Sequence, residues 1–156
     1  MVLAGGDAED VAAAADILDV IGRKTVHAGP VGHGLVMKLV INGVMALGTA
    51  ALAETLAYGT KAGLDRNTLI ETLQDLILVS EHHRRKLEMA KQGSYPPQFS
   101  TKLLSKDLGL LLAETAHHGV PMASMAAAAQ LFALATNKHA DDDYAAAISV
   151  AEDLAR

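Results

Sequence analysis

The 156-residue chain has no cysteine and no tryptophan, and aromatic residues make up only 3% of it. The lack of cysteine excludes a disulfide framework and a thiolate zinc site. Five aromatic residues are too few for a base-stacking surface, and a net charge of -5 leaves no basic excess to bind phosphate backbones. We therefore expect no nucleic-acid partner and a cytoplasmic location.

Signals for export, membranes and metals are also scarce. The opening MVLAGGDAED has no basic segment followed by an apolar core, so it is not typical of a signal peptide. The uncharged run at 39–53 is shorter than the roughly 20 residues that span a bilayer, which favours a buried core helix. No two of the seven histidines are four residues apart, the spacing of a helical zinc clasp, so we expect no metal site and no membrane partner.

The hydrophobic pattern divides the chain into two unequal parts. Strands at 2–4 and 24–27 flank a helix that Asp7 caps and that ends near Ile21. Two such strands need a larger sheet, so this segment is too small to be a domain and we expect further chain before Met1. The rest has helical periodicity, in predicted helices at 32–62, 66–78 (capped by Asp65), 80–91, 105–118, 122–137 and 142–155.

One lysine stands out in the segment GPVGHGLVMKLVING, residues 29–43. Lys38 and Asn42 are four apart and share a helix face, with Gly34 one turn earlier as a gap for a ligand. The neighbouring positions are apolar nearly all round, which indicates a buried helix. A desolvated lysine is usable as a proton donor and acceptor near neutral pH. The alternative is that the Lys38 stem is buried while its ammonium reaches water.

Residues 29–65 resemble the start of the helical domain of the beta-hydroxyacid dehydrogenases, the family of 3-hydroxyisobutyrate dehydrogenase and the semialdehyde reductases. The matching positions are Gly32, Gly34, Lys38, Asn42, Ala53, Glu54, Lys61, Gly63, Leu64 and Asp65. A later block resembles the family at Phe99, Lys106, Asp107, Leu108, Gly119 and Pro121, and DDDYAAAI resembles its closing helix. The chain departs from the family at Ile41, where many members have asparagine, and in LILVSEHHRRKLE, which replaces a glycine- and serine-rich loop.

The resemblance implies an oxidoreductase that uses NAD or NADP to interconvert a small hydroxy acid and its semialdehyde or keto form. It implies that Lys38 is the general acid and base, that Asn42 and Gly34 contact the substrate, and that Lys106 and Phe99 contact the cofactor. Lys106 in the first turn of a helix opposes the helix dipole unless an anion compensates. The alternative to cofactor contact is that the Lys106 ammonium pairs with Asp107 or is simply solvated.

The resemblance also implies a fold class: a mainly α helical bundle with a long central helix, preceded by a strand–helix–strand remnant of a dinucleotide-binding domain. We expect the remnant at 1–28 and the helical substrate and dimerisation domain at 29–156. The chain has no G-x-G-x-x-G fingerprint and no serine-glycine-glycine loop. We therefore expect it to need a missing dinucleotide-binding domain for activity and to form a homodimer. The alternative function is a non-catalytic, all-helical dimerisation or interaction module.

Overall fold

A computed structural model describes all 156 residues, and its contacts divide the chain into two compact units, residues 1–42 and 43–156. The elements in chain order are β1 (Val2–Ala4), α1 (Ala8–Ala13), α2 (Ala15–Ile21), β2 (Thr25–His27), α3 (His33–Lys61), α4 (Arg66–Asp75), α5 (Glu81–Gln92), α6 (Thr101–His117), α7 (Ala123–His139), a 3₁₀ turn (Tyr144–Ala146) and α8 (Ala147–Leu154). The mainly helical class is the predicted one, whereas the predicted boundary at residue 28 stays a prediction.

The first unit contains the predicted strand–helix–strand segment. β1 and β2 pair in parallel, with Val2 opposite Thr25 and the Ala28 amide donating to the Ala4 carbonyl. The helix between them is interrupted at Ala14, whose backbone lies at φ -88° and ψ 1°. The surrounding sequence is mostly alanine, so no residue type marks this break. Asp7 occupies the N-cap position as expected, but its side chain makes no capping hydrogen bond.

Helix α3 runs unbroken over 29 residues, within one residue of each predicted end. The face formed by Ala46, Ala50, Ala53 and Leu56 is buried, and the spacing of three to four residues places it on one side of the helix. In the first half of α3 most apolar side chains are exposed, Leu35 at 69% for example. The prediction that α3 is the most buried helix is therefore wrong for that half.

The length and hydropathy of α3 also bear on the expectation of no membrane partner. The helix is longer than the uncharged run, and its most apolar 18-residue window has a mean hydropathy of 1.8 with 22% of the window buried. Helix α3 is therefore long and apolar enough to cross a bilayer, although core helices of soluble proteins also meet this test of length and composition. Buried residues in its second half favour a core helix, and the absence of a membrane partner stays a prediction.

The second unit is built around a buried 3₁₀ turn and the start of α8. Tyr144, Ala145, Ala146, Ala147 and Ile148 have no exposed surface. Helices α5, α6 and α7 pack against this turn, and the run of alanines lets their backbones approach closely. The sequence predicts a single helix at 142–155 here, whereas the structure places a tight turn before α8.

Local signals set several helix ends. Asp65 accepts a hydrogen bond from the Thr68 amide at the start of α4, and Ser80 accepts one from His83 at the start of α5. Helix α4 ends at Asp75, three residues before the predicted end, and α6 begins at Thr101, four residues before the predicted start. The Thr101 amide donates to the carbonyl of Asp142, so a distant segment fixes the start of α6.

Candidate active site

The predicted catalytic lysine lines a pocket in the first unit. Lys38 is half-buried, and the pocket has a volume of about 370 Å³. Its lining is otherwise apolar or glycine, formed by Met1, Leu3, Gly5, Gly32, Gly34 and Leu35. Lys38 is therefore the one residue with a charged side chain that lines this small pocket at the N-terminal end of a long helix.

Glycine at position 34 has a packing reason that the sequence did not reveal. A Cβ atom on Gly34 would lie 2.6 Å from the carbonyl oxygen of Leu3, and one on Gly5 would lie 2.8 Å from the carbonyl oxygen of Pro30. The end of β1 thus packs directly on the first turn of α3. The space beside Gly34 is taken by backbone, and its predicted contact with substrate stays a prediction.

Asn42 follows Lys38 by one helical turn and shares its face of α3. Its side chain is buried, at 8% exposure. A carboxamide provides both an acceptor and donors, so it is suited to hold a substrate hydroxyl or to orient the lysine. The first turn of α3 contains no acidic residue. The positive end of the helix dipole is therefore left to favour an anionic group such as a substrate carboxylate.

The two predicted cofactor residues lie in the second unit. The Lys106 side chain is 56% exposed, and its ammonium lies 3.0 Å from Oδ1 of Asp107. Because α6 begins at Thr101, Lys106 is in the second turn, so the dipole argument from the sequence does not apply to it. The Phe99 ring is half-buried and packs edge-on against Tyr144, with centroids 6.0 Å apart. Cofactor contact by either residue stays a prediction.

A buried polar cluster beside Phe99 was missed by sequence reasoning. Lys86 and Asp143 form an ion pair at 2.9 Å with side chains 1% and 0% exposed. The Lys86 ammonium also lies 4.6 Å from the centre of the Tyr144 ring. The Tyr144 hydroxyl is hydrogen-bonded to Nε2 of His82. Burial raises the pKa of the Tyr144 phenol above its ordinary value. Burial and the positive charge of Lys86 both lower the pKa of His82.

His83, the second of two adjacent histidines on α5, packs against α3. His83 Nε2 donates to the carbonyl oxygen of Met45 at 3.2 Å, and Nδ1 accepts from the Ser80 hydroxyl at 2.8 Å. One tautomer, protonated at Nε2, satisfies both bonds. A Cβ atom on Gly48 would lie 2.4 Å from the His83 ring, so the ring fits against α3 only because residue 48 is glycine.

A larger cavity, about 860 Å³, lies at the C-terminal end of α3 and is lined by paired charges. The Arg66 guanidinium donates twice to Glu152, at 2.6 and 3.0 Å, and once to the carbonyl oxygen of Ala90. The bond to Glu152 raises the pKa of Arg66, although burial opposes the rise. These bonds join α4, α5 and α8, which gives this end of the second unit a structural clamp.

Comparison with known proteins assigns most of the chain to a family. Residues 32–151 match the family described as NAD-binding of NADP-dependent 3-hydroxyisobutyrate dehydrogenase. The match includes Lys38, Asn42, Phe99 and Lys106. The expected cofactor class, NAD or NADP, is thereby confirmed for this family.

Individual relatives and a solved structure point the same way. Glyoxylate/succinic semialdehyde reductase 1 of Arabidopsis thaliana is 32% identical over 149 residues, which cover 95% of this chain and 52% of that protein. 3-Hydroxyisobutyrate dehydrogenase of Pseudomonas aeruginosa is 35% identical over 118 residues, which cover 71% of this chain and 40% of that protein. The structure of Mycobacterium tuberculosis 3-hydroxyisobutyrate dehydrogenase with L-serine superposes with a TM-score of 0.84 at 28% identity, over 95% of this chain and 53% of that one.

The chain therefore spans about half the length of the relatives that it matches. The similar solved structure confirms the predicted mainly α fold class. Both the residues of the Lys38 segment and the extent of the family match lead to one conclusion. The chain belongs to the family described as NAD-binding of NADP-dependent 3-hydroxyisobutyrate dehydrogenase.

Proposed function

We propose that this chain carries the proton-transfer half of an NAD(P)-dependent oxidoreductase that interconverts a small hydroxy acid and its semialdehyde or keto form. One observation carries the proposal: Lys38 lines a small pocket at the start of α3, inside the region that matches the family. We further propose a cytoplasmic location, which a fluorescent fusion would test. Activity is proposed to require a dinucleotide-binding domain in addition to these 156 residues.

Lys38 is the proton carrier in this proposal. Oxidation of an alcohol to a carbonyl removes a hydride from carbon and a proton from oxygen. The neutral amine of Lys38 accepts the hydroxyl proton, and in reduction its ammonium returns it to the carbonyl oxygen. Asn42 lies on the same face and orients the reacting oxygen or the lysine through its carboxamide. The bound nicotinamide cofactor supplies or accepts the hydride.

The residues of this chain fit part of such a cofactor. The Lys106 side chain is more than half exposed, so it is accessible to a phosphate or a carboxamide oxygen. Phe99 packs against Tyr144 and is only half-buried, which leaves part of its ring to contact a flat group. The sequence contains no glycine-rich pyrophosphate loop. Lys106 and Phe99 are therefore proposed to hold one end of the cofactor.

The pocket also suits a small acid. Its volume of about 370 Å³ is at the lower end for ligand sites. The N-terminal end of α3 favours a carboxylate, and Lys38 follows within the second turn. A short hydroxy acid has its hydroxyl one or two carbons from its carboxylate, which matches a helix terminus and an amine placed close together.

The Lys38→Met substitution tests the proposal. The chain is combined with a dinucleotide-binding domain, and oxidation of reduced cofactor is followed with a panel of small semialdehydes. Loss of a positioned acid and base is expected to lower kcat by roughly 10²–10⁴-fold. Lys138→Met, at an exposed lysine on α7, is the matched control and is expected to retain full turnover.

Circular dichroism and thermal unfolding must show that the Lys38→Met protein stays folded. A folded variant with undiminished turnover would contradict the assignment of Lys38. Turnover by the 156 residues alone would contradict the requirement for a second domain, because hydride transfer depends on holding both reactants together.

A non-catalytic dimerisation module is the second candidate, and the exposed apolar side chains of α3 favour it. Leu35, Val40 and Val44 are each at least half exposed, and apolar patches of this kind mark interaction sites. We propose a homodimer under either function. Light scattering that shows a monomer at high concentration would contradict the dimer, and a folded, dimeric protein without Lys38-dependent turnover would favour the module.

A further inference from the structure

We propose that Lys86 and Asp143 are positioning residues for the proposed cofactor contacts of the second unit, Phe99 and Lys106. Their buried ion pair fixes the segment 98–101, which carries Phe99 and leads into α6 with Lys106. The inference rests on the proposed function, in which Phe99 and Lys106 contact a nicotinamide nucleotide. It assigns a role to two buried charges that the proton step does not use.

Asp143 is the centre of the arrangement. Its carboxylate accepts two hydrogen bonds from the Lys86 ammonium, at 2.9 and 3.0 Å. It accepts three more from backbone amides, those of Gln98 at 3.1 Å, Phe99 at 3.2 Å and Ala145 at 3.0 Å. One side chain thus joins α5, the segment before α6 and the 3₁₀ turn.

Backbone hydrogen bonds extend this attachment along the segment. The Tyr144 amide donates to the carbonyl oxygen of Phe99 at 3.1 Å, and the Thr101 amide donates to that of Asp142 at 2.9 Å. Ser100 and Asp143 form an isolated antiparallel bridge. The start of α6 therefore has its position set by residues 142–144, some forty positions later in the chain.

The rings add a second constraint on Phe99. Tyr144 has no exposed surface, and its ring contacts the Phe99 ring edge-on while the Lys86 ammonium lies 4.6 Å from its centre. Lys86 thus contacts both partners of Phe99, the carboxylate that binds its amide and the ring that packs on its side chain. Removing the ammonium disturbs both at once.

Displacement at the start of α6 moves Lys106 as well. Lys106 is five residues beyond Thr101 on a continuous helix, so a shift of the first turn is carried to its ammonium. A misplacement of about 1 Å in a binding group can cost on the order of 100-fold in rate. The ion pair thereby acts on the cofactor through residues that it positions, without contacting the cofactor itself.

The experiment compares Lys86→Met, Asp143→Asn and the double variant with wild type. The double variant removes both charges while preserving shape, so it remains informative if a single variant does not fold. Lys91→Met is the matched control, because Lys91 also pairs with a carboxylate from the neighbouring helix, Glu71 at 2.7 Å, but at the surface. All proteins are the full 156-residue chain, and for binding they are combined with a dinucleotide-binding domain.

Two readouts distinguish positioning from general stability. Amide hydrogen exchange at Gln98 and Phe99 is expected to accelerate in the folded variants, while exchange in α7 is unchanged. The Kd for NADPH or NADH, from nucleotide fluorescence, is expected to rise about tenfold or more. The pH profile of kcat at saturating cofactor, which reports the proton step, is expected to stay that of wild type.

Folded variants with wild-type exchange at Phe99, or with unchanged Kd for both nucleotides, would overturn the inference. Loss of stability without change in Kd would reduce the pair to a structural role and would also overturn it. A wild type that binds neither nucleotide would refute the proposed function and this inference together. A wild type that binds while the variants bind equally well would refute the inference alone.

Discussion

Gly48 lies on the face of α3 against which His83 of α5 packs, and replacing it with alanine tests that contact. In an open helix the change is stabilising by about 1 kcal/mol, because alanine has the higher helix propensity. Here the new Cβ would lie 2.4 Å from two atoms of the His83 ring, well inside contact distance. The ring is held by bonds to the Met45 carbonyl and the Ser80 hydroxyl, so it does not move freely.

The magnitude follows from these opposing terms. Overpacking costs about 1–3 kcal/mol. Displacing the ring forfeits two neutral hydrogen bonds worth about 1 kcal/mol each. After subtracting the propensity gain of about 1 kcal/mol, Gly48→Ala is expected to destabilise by about 2–4 kcal/mol. For a chain of this length that lowers Tm by roughly 2–4 °C per kcal/mol.

Urea and thermal unfolding, followed by circular dichroism, measure the effect. Gly109→Ala is the control, because Gly109 lies inside α6 and a Cβ atom added there would have no neighbour within 4 Å, so the change is expected to stabilise. In a His83→Ala background the Gly48→Ala change is expected to reverse sign and stabilise as well. A stabilising Gly48→Ala in the wild-type background would refute the reasoning.

Three further predictions concern charge and packing. Burial and the charge of Lys86 lower the pKa of His82 in the folded protein below its ordinary 6.5, so between the folded and unfolded pKa values the unfolded chain binds more protons. The free energy of unfolding should therefore fall as pH drops below 6.5. Urea titrations at several pH values should show a smaller fall in His82→Gln. Arg66→Met breaks a bidentate, partly buried pair with Glu152 and should lower the free energy of unfolding in urea by about 1–2 kcal/mol. Arg85→Met, at an exposed pair, should change that free energy by less than about 0.5 kcal/mol. Equal effects of the two substitutions would contradict the distinction between the pairs. Gly34→Ala places a methyl group 2.6 Å from the carbonyl oxygen of Leu3 and should lower the free energy of unfolding by about 1–3 kcal/mol. An unchanged Tm in thermal unfolding would show that β1 does not pack against this position.

Helix ends fixed by local chemistry were predictable from the sequence. Asp65 and Ser80 were expected to begin α4 and α5, and each accepts the capping bond from an amide three residues later. Gly63, two residues beyond the last residue of α3, has a left-handed backbone at φ 96°, as expected for a glycine that ends a helix. The start of α6 was misplaced, because it depends on bonds to residues 142 and 143 that no local pattern encodes.

The site was predictable only where its residues are close in sequence. Lys38 and Asn42 are linked by helical spacing, so a single segment reveals them. Lys86 and Asp143 are 57 residues apart, and Lys86 lies among the charged residues of EHHRRKLEMAKQ, a run that is typical of a solvated helix. Apolar residues all round the first half of α3 indicated burial, but a pattern does not say which surface covers them, and most remain exposed.

The hydrogen bonds of Asp143 have a consequence for tolerance to mutation. The carboxylate recognises the main chain at 98, 99 and 145, so those bonds do not depend on which side chains occupy these positions. In a saturation-mutagenesis library, we expect Gln98, which is exposed, to accept most residues other than proline, whose nitrogen lacks a hydrogen. Position 143 should accept almost none, since even glutamate would carry the carboxylate one methylene away from three fixed amides.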